Sequence, residues 1–337
     1  MIPLDLYPTL RVSQVTSSKG DALDWVQESK DQDPDFGVVL AAPLKKGESA
    51  TIKIAYGGKD VVLNEGGDNY YPIAREDWFP NSNQGFGDYT TYHMLFHVPK
   101  ELEIVATGTK VNQTTEGKIT TSEWKTETPL PVVGFSLGEF ESKETKIGTP
   151  LTGQLTINAY ANKQKPDFIS RISGGSLGTL ETTPMLGNEL NQGQVAAQIY
   201  TQYFGDLHFP HIALTQQSAC DYGQSWPMLV YLPICGFFDK TQQHFLGLSD
   251  FSEATYWDVV TPHEVAHQWW GHTVGFRGYR DQWMSEGFAQ TSASIFLQLT
   301  RAKPDDFLRF WKEQHDLLTQ KNAYGFRPID VGPVTMG

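Results

Sequence analysis

Two kinds of hydrophobic and polar patterning follow one another along the chain. From Leu10 to about Glu141, short β-branched and aromatic runs recur between clusters of Gly, Asp, Asn and Lys, as in Val38 to Ala42, Ala50 to Tyr56 and Thr91 to Val98. Successive side chains of a strand point to opposite faces, so runs of this length and composition predict strands. The rhythm continues through Glu103 to Thr109, Ile119 to Trp124 and Val132 to Phe140, at the roughly 8–12-residue spacing of sandwiches and barrels. Residues 1–150 are therefore expected to form an N-terminal, sandwich-like β-domain.

The period changes past Gly153-Gln154-Leu155. Val195, Ile199 and Tyr203 fall four apart among good helix formers, and Gly205-Asp206 ends the run, which predicts a helix over Asn191 to Tyr203. Ile212 to Gln216 and Met228 to Leu232 read as buried strands. Phe288 to Arg301 and Asp305 to Leu318 read as helices, the second entered through Pro304. The whole is an α+β multidomain chain, with residues 151–337 as a mixed α/β domain. No internal repeat or glycine-rich phosphate loop breaks the pattern.

Composition narrows the partners. A chain of 337 residues can bury one full core and has room for a second. Its net charge of -13, from 39 acidic residues against 26 Lys and Arg, gives no basic footprint for nucleic acid or anionic lipid. The most apolar stretch, Met228 to Phe238, is interrupted by Pro233 and is far shorter than the roughly 20 residues of a bilayer span, so no membrane segment is expected. Met1 to Leu6 show no charged region leading into an apolar run, and a native N-terminus there implies a cytoplasmic chain. Cys220 and Cys235 belong to no C-x-x-C pair and read as two free thiols.

The chemistry concentrates in His263-Glu264-Val265-Ala266-His267. Helix residues four apart share a face, so two neutral imidazoles at this spacing can bind one zinc ion. Glu264 lies beside them, where a carboxylate can take a proton from a water the metal has made acidic. A catalytic zinc needs a third protein ligand and one open position. Glu286 follows His267 by nineteen positions, within Trp283-Met284-Ser285-Glu286-Gly287-Phe288-Ala289, at the start of a second helix. A fourth protein ligand would close the site, so His272 is assigned a supporting role. His93 and His97 also sit four apart, but in a strand-like stretch where that spacing shows only a shared face. Ser285 is expected to cap a helix, and Trp283 to be a core aromatic.

This constellation resembles the gluzincin metallopeptidases of the aminopeptidase N family, whose motif is H-E-x-x-H, eighteen residues, then Glu within N-E-G-F-A. Here the string is S-E-G-F-A. His267-Gln268-Trp269-Trp270-Gly271 is similar to the family's continuation, and Tyr203-Phe204-Gly205 with Phe209-Pro210 to the segment entering its catalytic sheet. The resemblance implies a thermolysin-like catalytic domain holding one zinc through His263, His267 and Glu286. It also implies Glu264 as general base and hydrolysis of peptide substrates, most simply by releasing N-terminal residues.

Two departures temper that implication. Family aminopeptidases carry a G-x-M-E-N strand whose Glu grips the substrate's free amino group, whereas Gly223-Gln224-Ser225-Trp226-Pro227-Met228 has no Glu. The family's transition-state Tyr lies some sixty to seventy residues beyond the Glu ligand, past Gly337, and Tyr324 is too near to take its place. The chain is thus expected to be a fragment without the family's C-terminal helical domain. Endo-acting or other amide hydrolysis by the same fold, or zinc binding without efficient turnover, stand as the alternatives.

Overall fold

The structure, a computed structural model, describes residues 1–29, 35–64, 67–72, 78–82, 89–164, 182–217, 220, 222–245, 251–275, 278, 281–301 and 304–319. Tyr324 lies outside the described residues. The chain divides into two compact units, one of Met1–Asn64 and Tyr70–Asp88, the other of Glu65–Asn69 and Tyr89–Gly337.

The first unit is all β among its described residues. Its strands are β1 (Ile2–Asp5), β2 (Arg11–Ser17), β3 (Trp25–Gln27), β4 (Asp35–Val38), β5 (Ile52–Gly57), β6 (Val62–Asn64), β7 (Tyr70–Pro72) and β8 (Asn81–Ser82). One sheet has the order β3-β4-β1-β8, and β2 pairs with β5. Ile52, Ile54 and Tyr56 of β5 turn inward while Lys53, Ala55 and Gly57 face solvent, the period-two burial that alternation dictates. Leu6, Leu10, Val15, Leu23, Phe36, Val38 and Val61 form its core. The strand expected over Val38 to Ala42 ends at Val38.

The second unit opens with β9 (His93–Pro99), β10 (Glu103–Ala106), β11 (Thr109–Glu116), β12 (Ile119–Lys125) and β13 (Phe135–Gly138). The order β11-β12-β9 makes an antiparallel sheet, and β10 pairs with β13. A second sheet runs β14-β15-β16-β18-β17, from β14 (Phe140–Thr149), β15 (Gly153–Asn162), β16 (His211–Gln217), β17 (Gln224–Trp226) and β18 (Leu229–Pro233). Strands β15, β16 and β18 are parallel neighbours, and β17 closes the edge antiparallel to β18. All five residues of β18 are buried, as a central strand covered on both faces requires. Residue 150, where composition suggested a domain boundary, falls in the turn between β14 and β15, whose ten paired residues continue one sheet.

Five helices complete the described part of this unit: α1 (Leu186–Phe204), α2 (Lys240–Phe245), α3 (Phe251–Ala266), α4 (Gln282–Thr300) and α5 (Pro304–Thr319). Helix α1 begins five residues before the predicted start and ends at Gly205, whose φ of 91° is a conformation that glycine adopts without steric cost. Tyr200, Ala196 and Ala197 of α1 pack with Leu155, Ile157, Leu214 and Val230 of the sheet and with Val265 and Trp269 at the end of α3. Each large apolar side chain buried this way contributes about 1.5–3 kcal/mol. The buried Tyr200 hydroxyl donates to the Pro262 carbonyl at 3.0 Å, which fixes α1 to α3 one residue before His263.

One expectation is overturned here. Cys220 and Cys235 are joined in a disulfide, with Cα atoms 5.2 Å apart. Parallel pairing sets Gln217 of β16 opposite Pro233 of β18, so the segments leaving both strand ends are neighbours. The pair arises from sheet register, which no C-x-x-C pattern encodes.

Candidate metal centre and active site

The candidate metal-ligating groups come from two packed helices. On α3 and the turn that extends it, His263 and His267 point the same way, and their Nε2 atoms lie 3.1 Å apart. Glu286, in the second turn of α4, brings its Oε2 to 3.4 Å from His263 Nε2 and 3.6 Å from His267 Nε2. Among the described residues these three form a group whose ligand atoms all lie within 4.8 Å of one another.

The hydrogen bonds behind the imidazoles fix their tautomers. Gln290 Nε2 donates to Gln314 Oε1, which leaves Gln290 Oε1 to accept from His263 Nδ1 at 2.8 Å. The Ser285 hydroxyl gives its proton to the Trp270 carbonyl at 2.8 Å. His267 Nδ1 sits 3.0 Å from Ser285 Oγ and 3.1 Å from the Trp270 oxygen, both acceptors. Both imidazoles therefore carry their proton on Nδ1, and two Nε2 lone pairs face each other beside a carboxylate oxygen. Such a set is repulsive unless a cation lies among it. A tetrahedral zinc with bonds of about 2.0–2.1 Å separates its ligand atoms by about 3.3–3.4 Å. The observed separations bracket that value, so the residues present fit zinc.

The turn that places the Trp270 carbonyl is unusual. After His267 the backbone makes three successive bonds to the fifth residue back, His272 to His267, Thr273 to Gln268 and Val274 to Trp269, at 3.3, 3.2 and 2.8 Å. Gly271, with a φ of 119°, closes the turn by donating to the Val274 carbonyl at 2.8 Å.

Electrostatics divides the carboxylates. The His263 and His267 imidazoles beside it, 3.4 and 3.6 Å away, hold Glu286 well below the usual carboxylate range, so it is anionic. Glu264 is 6% exposed, and burial pushes its pKa up to about 7, with His263 opposing and Glu286 reinforcing the shift. His272 is held down to about 3 by burial and by neighbouring His267, which keeps it neutral.

The remaining expectations divide as follows. His93 and His97 lie on β9, paired with Glu123 and Thr121 at 2.8 Å, away from the metal ligands in the fold. Ser285 is not a cap: it lies inside α4 and orients His267. Trp283 is not core, being 49% exposed against Phe288. Gln290, Gln268 and Gly223 were missed. Gln290 stands four residues after Glu286 on one helix face, a readable signal, whereas the other two act through strands distant in sequence.

Residues 241–325 match the family model of the peptidase family M1 domain. Endoplasmic reticulum aminopeptidase 2 of Bos taurus is 30% identical over 105 residues, covering 30% of this chain and 10% of that protein. The Homo sapiens protein of the same name is 27% identical over 136 residues, covering 39% and 13%. The alignments thus span roughly a tenth of these curated relatives' length. Among solved structures, the M1 zinc metallopeptidase from Deinococcus radiodurans superposes with a TM-score of 0.69 at 19% identity, over 97% of this chain and 68% of that one. Legionella pneumophila aminopeptidase A, in complex with aspartic acid, gives 0.69 at 13% identity, over 88% and 33%. The fold, with its mixed sheets and helices, is that of the M1 zinc metallopeptidases.

Proposed function

We propose that the chain is the catalytic part of a zinc-dependent peptidase that hydrolyses peptide bonds, most simply as an aminopeptidase. The observation that carries this reading is the pair of Nε2 lone pairs facing each other beside Glu286, with the buried Glu264 between the two histidines in sequence. The names of its relatives support the substrate class: the two curated relatives are named aminopeptidases, and a mutant of the Deinococcus metallopeptidase, at 19% identity and a TM-score of 0.66 over 94% of this chain and 67% of that one, has been crystallised with a Tyr-Ser-Ala substrate.

His263, His267 and Glu286 would hold the metal, and zinc supplies Lewis acidity that acidifies water and polarises a carbonyl. Glu264 takes a proton from the attacking water and returns it to the amine nitrogen as the C–N bond breaks. A carboxylate raised toward neutrality by burial is matched to both transfers. Gln290 and Ser285 hold the imidazoles in the tautomer that leaves Nε2 free.

A second reading, endo-acting hydrolysis, is favoured by Trp226. It stands where the family string has its amine-binding Glu, and it is buried, its ring within about 3 Å of the position a Cβ on Gly134 would take. A free ammonium group is strongly held only by an anion, and this residue offers none.

The test is mass spectrometry of one unblocked decapeptide and its N-acetylated twin after incubation with zinc-loaded protein. Chelator and Glu264→Gln serve as controls. Stepwise shortening of the free peptide alone, absent in both controls, supports aminopeptidase action. Internal cleavage of both peptides supports the second reading, and two intact peptides contradict hydrolysis by this chain.

A further inference from the structure

Gln268, the residue after His267, is 0% exposed, and both ends of its side-chain amide are hydrogen-bonded. The Met228 backbone N–H donates to its Oε1 at 2.8 Å. Its Nε2 donates to Ser225 Oγ at 2.7 Å and to the Trp226 carbonyl at 2.9 Å. All three partners belong to the β17–β18 hairpin, which lies at the edge of the five-stranded sheet. One side chain at the end of the metal helix therefore grips both sides of a turn some forty residues away in sequence.

That turn needs a grip. Met228 has a φ of 63°, a left-handed conformation that is strained for a residue with a Cβ. Its N–H is buried with it, and a buried donor without an acceptor carries a further desolvation cost. Gln268 Oε1 removes the second cost and so stabilises the strained turn. At its other end the same hairpin runs up to the general base: a Cβ on Gly223 would stand 2.6 Å from Glu264 Oε1. Only a residue without a Cβ lets the start of β17 come this close to Glu264, and the backbone of an outermost strand is the surface an extended peptide can pair with.

We propose that Gln268 is a positioning residue: its amide locks the β17–β18 hairpin to the metal helix, so that the strand edge offered to the peptide and the base Glu264 keep one fixed spacing. This inference rests on the peptidase reading for its kinetic consequence, but the lock itself is a property of the folded chain. Substrate held along a strand edge is held in ground and transition state alike, so loosening the edge acts mainly on KM.

The experiment uses Gln268→Met, close in length but unable to make the three hydrogen bonds, and Ser225→Ala, which removes one partner from the hairpin side. In the zinc-loaded protein, hydrogen exchange read by mass spectrometry over residues 222–230 should speed up at least tenfold in Gln268→Met, and less in Ser225→Ala, while residues 255–267 and the zinc content stay as in wild type. KM for a peptide should rise about 10- to 100-fold with kcat changed by less than about threefold. Met228→Gly relieves the strained φ, so the KM defect of Gln268→Met should shrink in that background instead of multiplying. Unchanged exchange over 222–230 in both single variants overturns the lock. Loss of kcat and zinc together, with KM constant, overturns the positioning role in favour of simple support of the helix end. If wild-type protein cleaves no peptide, the peptidase reading fails, and the exchange measurement still decides the lock. If Gln268→Met does not fold, Ser225→Ala decides it alone.

Discussion

Gly223 shows how much a single missing methyl can matter. Restoring a Cβ there puts it 2.6 Å from Glu264 Oε1 and 2.8 Å from its Cγ, closer than non-bonded atoms approach, so the carboxylate or the strand must move. Gly223→Ala should therefore lower kcat about 10- to 100-fold with zinc stoichiometry unchanged. Steady-state kinetics beside metal analysis checks this, and wild-type kcat in that variant would mean that Glu264 has room the structure does not show. At this scale the sequence was legible where chemistry is local. His263, Glu264 and His267 are ordered by one helix period, and Glu286 by a spacing that suits a third ligand. Gly223 and Gln268 were not legible, because their importance comes from a strand and a helix end meeting, and no local pattern announces a contact between residues forty positions apart. Ser285 was misread for a similar reason. A serine near a helix start is usually a cap, and only the neighbouring Trp270 carbonyl reveals that this one faces inward.

At the scale of elements, α4 carries both the candidate ligand and the side chains that orient the imidazoles. Ser285, Glu286 and Gln290 serve both imidazoles, but unequally: among the described residues His267 Nδ1 has two acceptors, His263 Nδ1 only Gln290. Loss of an orienting partner typically costs 10- to 100-fold in metal affinity or so. Gln290→Leu should approach the upper end, and Ser285→Ala, with the Trp270 carbonyl still in place, about tenfold or less. Competition for zinc against a chelator ranks them, and the reverse order would refute the tautomer assignment. Helix α1 meets α3 through a second buried carboxyl. Thr261 donates to Glu189 Oε2 at 2.8 Å, yet burial outweighs this bond and raises the Glu189 pKa to about 7. Between its ordinary value and about 7 the folded chain keeps a proton that the unfolded chain has released, so stability falls as pH rises through that window. Glu189→Gln removes this slope, and in zinc-free protein its stability relative to wild type should be greater at pH 8 than at pH 5 by up to about 3 kcal/mol. Urea unfolding at the two pH values measures it, and an unchanged difference would show that Glu189 ionises freely in the fold. The elements themselves were readable from periodicity, β16 and β18 nearly to the residue, whereas the start of α1 was not. Its first half buries Leu186, Glu189 and Gly193 at helical spacing, and a glutamate and a glycine at two of these three positions hide the apolar period.

At the scale of the whole molecule, the mixture of strand-rich and helix-bearing stretches was evident in the chain, but the way it divides was not. Composition changes near residue 150, whereas the β14–β15 hairpin runs through that point, because a hairpin turn looks the same in sequence whether it ends a domain or continues a sheet. The disulfide carries the same lesson further. Two strands were expected at Ile212 to Gln216 and Met228 to Leu232, but not that they lie side by side, and that adjacency is what brings Cys220 to Cys235. A cross-link over a sequence separation of 15 removes unfolded-state freedom worth about 3 kcal/mol. It also pins the segment between β16 and β17 three residues before Gly223, so reduction should act on the site as well as on stability. Adding a dithiol reductant to the zinc-free protein should lower its unfolding free energy by about 2–4 kcal/mol, measured in urea, and the denatured protein should yield two titratable thiols only after reduction. Two thiols titrating in denatured, unreduced protein would show that the cysteines are free, and would leave Gly223 held against Glu264 by the Gln268 clamp and sheet pairing alone.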